Sequence, residues 1–202
     1  DTLMSEVLAG RKRLPAAARL KLYRAAGTGA SEIRPSRHLR RVLAIGGLSE
    51  CGKSTSAEYL RRTCGAGRFK IGYLLRQAAQ RHGLSDPYVL SPCRQAELLL
   101  EELNRLADAH VDTGLFTIES VHDNALIAEL KRMLGEVLQI LYLDVPFEIR
   151  VARSGTSAAE VAGKDEIKRS RGAHQAISLA DHVIDNSGSV LALRSALRRI
   201  AL

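Results

Sequence analysis

Eight consecutive residues constrain this chain more than any others. Gly47-Leu48-Ser49-Glu50-Cys51-Gly52-Lys53-Ser54 is a full match to the pattern G-x-x-x-x-G-K-[S/T]. The apolar run Val42-Leu43-Ala44-Ile45 stands just before it, and a helical pattern runs from about Lys53 to Thr63 after it. A strand, a glycine-rich turn and a helix in that order fold backbone N–H groups around a phosphate. The helix N-terminus adds about half a positive charge at the same place. The spacing predicts that Lys53 meets the β- and γ-phosphates of ATP and that the Ser54 hydroxyl binds Mg2+. Gly47, Glu50, Cys51, Gly52 and Thr55 complete the expected nucleotide contacts. Cys51 is read first as a position that needs a small side chain, and second as a redox-sensitive thiol. The motif implies nucleotide binding; it does not by itself imply phosphoryl transfer.

From Val42 onward, short apolar strands alternate with amphipathic helices. Strands are expected at Arg68–Ile71, Leu115–Ile118, Val137–Leu143 and His182–Ile184 as well as Val42–Ile45. Helices are expected through Leu74 and Leu75, from about Arg94 to His110, from Ala125 to Leu134, after Pro146, and from Val190 to Ile200. That alternation predicts an α/β fold, with a three-layer α/β/α arrangement around a five-stranded parallel sheet. Residues 41–202 form the expected domain, and residues 1–40 a short, basic helical extension with a helix around Leu14–Tyr23.

Charge is divided along the same line. Residues 1–41 carry ten Lys and Arg against three Asp and Glu, whereas residues 42–202 carry twenty against nineteen. The body is therefore nearly neutral and lacks the basic face expected of a nucleic-acid-binding domain, so nucleic acid is not an expected partner. The extension reads as the tail of an upstream domain, a processed terminus or a contact to an oligomer partner. No run of eighteen apolar residues suggests a membrane span. No leader pattern is seen, and three cysteines without metal-type spacing read as reduced thiols, so the expected location is cytoplasmic.

An Asn-Lys-x-Asp guanine-binding loop is absent, which points away from GTPases. Two segments resemble the nucleoside and nucleotide kinase group of P-loop proteins. Phe69-Lys70-Ile71-Gly72-Tyr73-Leu74-Leu75-Arg76 looks like the strand-to-helix segment of adenylate kinase-like enzymes, and Arg76 matches their acceptor-phosphate arginine. From Leu141 to Leu197 the chain is similar to the C-terminal part of dephospho-CoA kinases. The likeness lies in Leu143-Asp144-Val145-Pro146-Phe147-Glu148, Arg153-Ser154-Gly155-Thr156-Ser157 and Ala180–Ser189. The resemblance implies a lid over the phosphates, with Arg150 and Arg153 reaching the transferring group and a cationic run of Lys164, Lys168, Arg169 and Arg171 beyond. It breaks at Gly65–Lys70, which lacks the acidic residue those kinases carry there.

A carboxylate is needed near magnesium or the attacking oxygen. Glu119, just after the expected strand Leu115–Ile118, ranks ahead of Asp144 for both metal binding and catalysis. Asp123 reads as a helix N-cap, and His122 as a loop residue that contacts the acceptor. The expected catalytic set is thus Lys53, Glu119 and Arg153, with Arg76, His122 and Arg150 at the acceptor. The resemblance implies an ATP-dependent, magnesium-using phosphotransferase, nucleoside monophosphate kinase-like, acting on a small phosphorylated metabolite. A dephospho-CoA kinase-like or specialised metabolite kinase is one alternative. A P-loop regulatory or RNA-associated module is another.

Overall fold

A strand that is apolar at every position has no face to offer water, so it belongs in the middle of a sheet covered on both sides. The computed structural model, which describes residues 33–201 except 122 and 174, puts such a strand there. Strand β1 (Val42–Gly46) is buried throughout and pairs in parallel with β3 (Phe116–Val121) on one side and β4 (Leu138–Asp144) on the other. Strands β2 (Gly67–Lys70) and β5 (His182–Asp185) form the edges, giving the order β2-β3-β1-β4-β5, all parallel.

Successive side chains of a strand point to opposite faces, and β1 divides its residues accordingly. Val42 and Ala44 join one apolar cluster; Leu43 and Ile45 join the other. The first cluster is covered by α2 (Ile71–Arg81), α3 (Pro92–Ala109) and α4 (Asn124–Leu134), which bring Leu74, Leu99, Leu103 and Ile127. The second is covered by α1 (Lys53–Cys64) and by α8 (Val190–Ala201), which bring Leu60, Leu193 and Leu197. This is the expected three-layer α/β/α arrangement. Between β4 and β5 lie α5 (Phe147–Ser154), α6 (Ala158–Ser170) and the single turn α7 (Ala176–Leu179). Among the described residues no helix is long and apolar enough to cross a membrane.

Capping chemistry sets several boundaries. Asp123 accepts from the backbone N–H groups of Ala125 and Leu126 and so starts α4, as its side chain suggested. Ser91 caps α3 ahead of Pro92 at the first turn. Strand β3 runs three residues further than the expected Leu115–Ile118, which puts Glu119 inside the strand rather than after it. Backbone pairing overrides pattern here: Glu119 is flanked by Ile45 on β1 and Lys70 on β2.

The helix expected at Leu14–Tyr23 and most of the extension lie outside the described residues, as does His122. Residues 33–39 belong closely to the domain. Ser36 N–H donates to Asn104 Oδ1 at 2.7 Å, Asn104 donates back to the Arg34 carbonyl, and Leu39 is buried in the core.

Candidate functional site

Strands β1 and β3 are neighbours, and their connections diverge: that from β1 runs to β2 at one edge, that from β3 to β4 on the other side of β1. Open parallel sheets form a crevice at such a point, outside the carboxyl ends of the strands. The loop 47–52 fills that position. Gly47 has φ 129°, and a Cβ there would stand 2.6 Å from Cys51 Sγ and 2.7 Å from the Leu143 carbonyl oxygen. Gly52 has φ 98°, and its Cβ would meet the Asn186 amide at 2.6 Å. Both positions exclude a side chain, so the loop closes tightly against β4 and the turn after β5. Cys51 is fully buried beneath it, as a small side chain at that position should be. Glu50 is held at φ 57° although it is not glycine.

Lys53 curls back over the loop, donating to the Gly47 carbonyl at 2.9 Å and to that of Leu48. The first turn of α1 sends the Ser54 hydroxyl to Glu119 Oε2 at 2.6 Å. Glu119 is only 1% exposed, and its other oxygen accepts from Arg68 Nε at 2.6 Å. Arg68 also pairs with Glu58 at 3.0 Å, and its guanidinium pKa is raised, chiefly by the hydrogen bond to Glu119. Ser54 and Glu119 thus present two hard oxygens next to the loop, the donor type magnesium takes alongside phosphate oxygens and water.

Above the loop opens a cavity of about 400 Å³. Of the expected set, Glu50, Gly52, Lys53, Ser54, Thr55 and Arg153 line it. Arg153 stands at the rim, donating to the carbonyls of Asn186, Ser187 and Gly188 at 2.6, 3.1 and 3.0 Å. A second cavity of about 560 Å³ is lined by Arg76, together with Lys70, Tyr73, Tyr88, Asp123 and Arg171. The two share one residue, Ser120, which has φ 66° and sits where the β1–β3 register skips from Glu119 to Val121. A bulge of this kind re-aims a side chain, and here it sets Ser120 on the seam between the cavities.

One expectation is corrected by placement and two are sorted by it. Arg150 and Arg153 do not act side by side: Arg150 is 2% exposed and lines neither cavity. Its guanidinium is committed to the Val145 and Ser49 carbonyls at 3.1 and 3.0 Å and to Asp165 at 2.5 Å. Asp144 closes β4 as an exposed residue that lines neither cavity, and of the two carboxylates it is Glu119 that meets Ser54, in the order expected. The cationic run divides: Lys168 lines the first cavity and Arg171 the second.

Two further residues went unread in the sequence. Arg68 reaches Glu119 only because β2 pairs with β3, and Asp165 reaches the Ser49 backbone N–H across 116 residues. Burial alone would push the Asp165 carboxyl up, but Ser49 and Arg150 together hold it below the ordinary carboxylate range.

A parallel five-stranded sheet, flanked by helices, carries its phosphate loop between the central strand and α1. The fold is of the P-loop kinase type. No protein-family model matches the chain. A curated relative, the UPF0200/UPF0201 protein of Archaeoglobus fulgidus, is 24% identical over 182 residues, covering 80% of this chain and 55% of its own. The chain therefore spans about half the length of that relative. Among solved structures, TT1252 from Thermus thermophilus is 23% identical with a TM-score of 0.47, over 83% of this chain and 96% of its own. Shikimate kinase from Bacteroides thetaiotaomicron is 12% identical with a TM-score of 0.45, over 79% and 95%. The shikimate complex of shikimate kinase from Acinetobacter baumannii is 14% identical with a TM-score of 0.46, over 79% and 90%.

Proposed function

We propose that the chain is an ATP-dependent phosphotransferase, nucleoside monophosphate kinase-like, whose acceptor is a small phosphorylated metabolite. The observation that carries this reading is the pair of cavities meeting at Ser120. One is floored by the phosphate loop, the other lined by Lys70, Arg76 and Arg171. A binding or switching module needs the first cavity; a group transfer needs both, side by side. Three cations around the second favour an acceptor that already carries an anion, and a planar guanidinium such as Arg76 suits a phosphate oxygen pair.

In this reading Lys53 leaves its loop carbonyls to meet the β- and γ-phosphates. Ser54 and Glu119 hold Mg2+, which supplies charge neutralisation at the phosphates. The bond from the γ-phosphorus to the ADP oxygen breaks, a bond to the acceptor oxygen forms, and the acceptor proton is released. Arg68 orients the Glu119 carboxylate, while Arg153 fixes the 186–188 turn at the rim. Catalysis of this type is positioning and electrostatic stabilisation rather than covalent chemistry. Every residue used in it lies within residues 41–202, the proposed kinase domain.

The test is a screen of phosphorylated metabolites with γ-labelled ATP and Mg2+, run beside Lys53→Ala. Label should pass to one acceptor class, and the variant should lose about 30- to 1000-fold in rate while staying folded. Unchanged turnover in Lys53→Ala, or ATP binding with no transfer to any acceptor, would remove the kinase reading.

A further inference from the structure

We propose that Lys168 is a phosphate-binding residue of the donor cavity, held in place by a three-point clasp on Ser49. Every polar group of Ser49 is engaged by the α5–α6 segment. Its N–H donates to Asp165 Oδ1 at 2.8 Å, its carbonyl accepts from Arg150 Nη1 at 3.0 Å, and its hydroxyl accepts from Lys168 Nζ at 2.6 Å. Asp165 and Arg150 close the circle with their own ion pair and are almost wholly buried. The Ser49 N–H is thereby committed to Asp165, and Lys168 is one of the residues that line the cavity.

The charge balance at that wall calls for an anion. Burial, and after it the neighbouring Lys53, lower the Lys168 pKa to about 8 against the opposing pull of Asp165, Cys51 and Glu50. Two ammonium groups facing one partly enclosed cavity repel, and a polyphosphate between them turns that repulsion into two charge-assisted contacts. The C-terminal half of α6 is on this account a fixed wall of the phosphate site, fastened to the loop, rather than a freely swinging flap. The inference rests on the nucleotide reading above.

Calorimetric titration with ATP and Mg2+ separates the possibilities. Lys168→Met should bind ATP about tenfold or more weakly than wild type at pH 7. Ser49→Ala, which deletes only the hydroxyl, should show part of that loss, Ser49→Thr should restore it, and the double variant should be no worse than Lys168→Met alone. Wild-type affinity should fall as pH rises through about 8, where the free Lys168 loses its charge; Lys168→Arg should bind steadily across that range. Losses that multiply in the double variant, or Lys168→Met binding ATP like wild type while Lys53→Ala does not, would overturn the clasp and leave the nucleotide site standing. Wild-type affinity equal to that of Lys53→Ala would overturn both. The Lys168 variants decide the matter alone if a Ser49 variant fails to fold.

Discussion

Replacing Glu119 by Gln keeps the shape of the side chain and removes its charge, and the consequences follow from its two hydrogen bonds. A Gln amide has one acceptor where the carboxylate serves two donors, Ser54 and Arg68 at 2.6 Å each. One donor must therefore face an N–H2 group. Breaking a fully buried ion pair costs about 3–5 kcal/mol. The Arg68 side chain is 28% exposed and keeps Glu58, so about 2 kcal/mol is the better figure for this site. In a domain of this size that lowers Tm by roughly 4–8 °C. Asp144→Asn alters an exposed carboxylate and should stay within about 0.5 kcal/mol of wild type. Thermal unfolding followed by circular dichroism measures both. On the acceptor identified by the screen, Glu119→Gln should also lower turnover by about a hundredfold, with much less effect on ATP affinity. The reasoning fails if the Gln variant melts with wild type, or if Asp144→Asn proves the more damaging change to turnover.

Arg76→Ala should lower kcat/KM for the acceptor by about tenfold or more and leave the KM for ATP nearly unchanged, as paired steady-state kinetics would show. Arg150→Met strands the buried Asp165 carboxylate and should cost about 3–5 kcal/mol in urea unfolding. The Asp165 pKa is depressed in the folded chain, so its contribution to stability is present above about pH 4 and is lost as pH falls through the lower folded value. Asp165→Asn should flatten that acid limb in a pH series of melting temperatures. Ser120→Gly should be tolerated or slightly stabilising, because φ 66° strains a serine by about 1 kcal/mol and glycine not at all; a clear drop in Tm would show that the hydroxyl has a structural partner.

The glycine-rich loop of the site was legible because its parts are contiguous: eight residues carry the loop, and the strand and helix beside them declare themselves by pattern. Glu119 was readable for a related reason, since it lies at the carboxyl end of an apolar strand. What escaped were pairings across long separations. Arg68 looked like one member of a basic stretch until β2 was set against β3, and Asp165 looked like one acid on a polar helix until α6 was folded onto Ser49. Arg150 was misjudged because helical spacing gives a direction around the axis but not what lies there; Asp165 and the Val145 carbonyl drew it inward. The length of β3 escaped because Glu119 and Ser120 look like the polar start of a loop, while β1 carries the ladder past them to Val121.

The extra residue in β3 has a consequence for how this chain can change. Up to Glu119 the strand keeps step with β1; at Ser120 it drops out of step, and Gly46 finds Val121 instead. Everything upstream of that slip serves the loop and its carboxylate, whereas Asp123 and Leu126 downstream face the second cavity. The slip works as a joint between two modules on one strand. Substitutions after residue 120 can remodel what the second cavity admits while the loop and Glu119 upstream keep their alignment. Deleting Ser120 would do the opposite: it would rejoin the two halves in step and rotate the start of α4 away from the cavity it now lines.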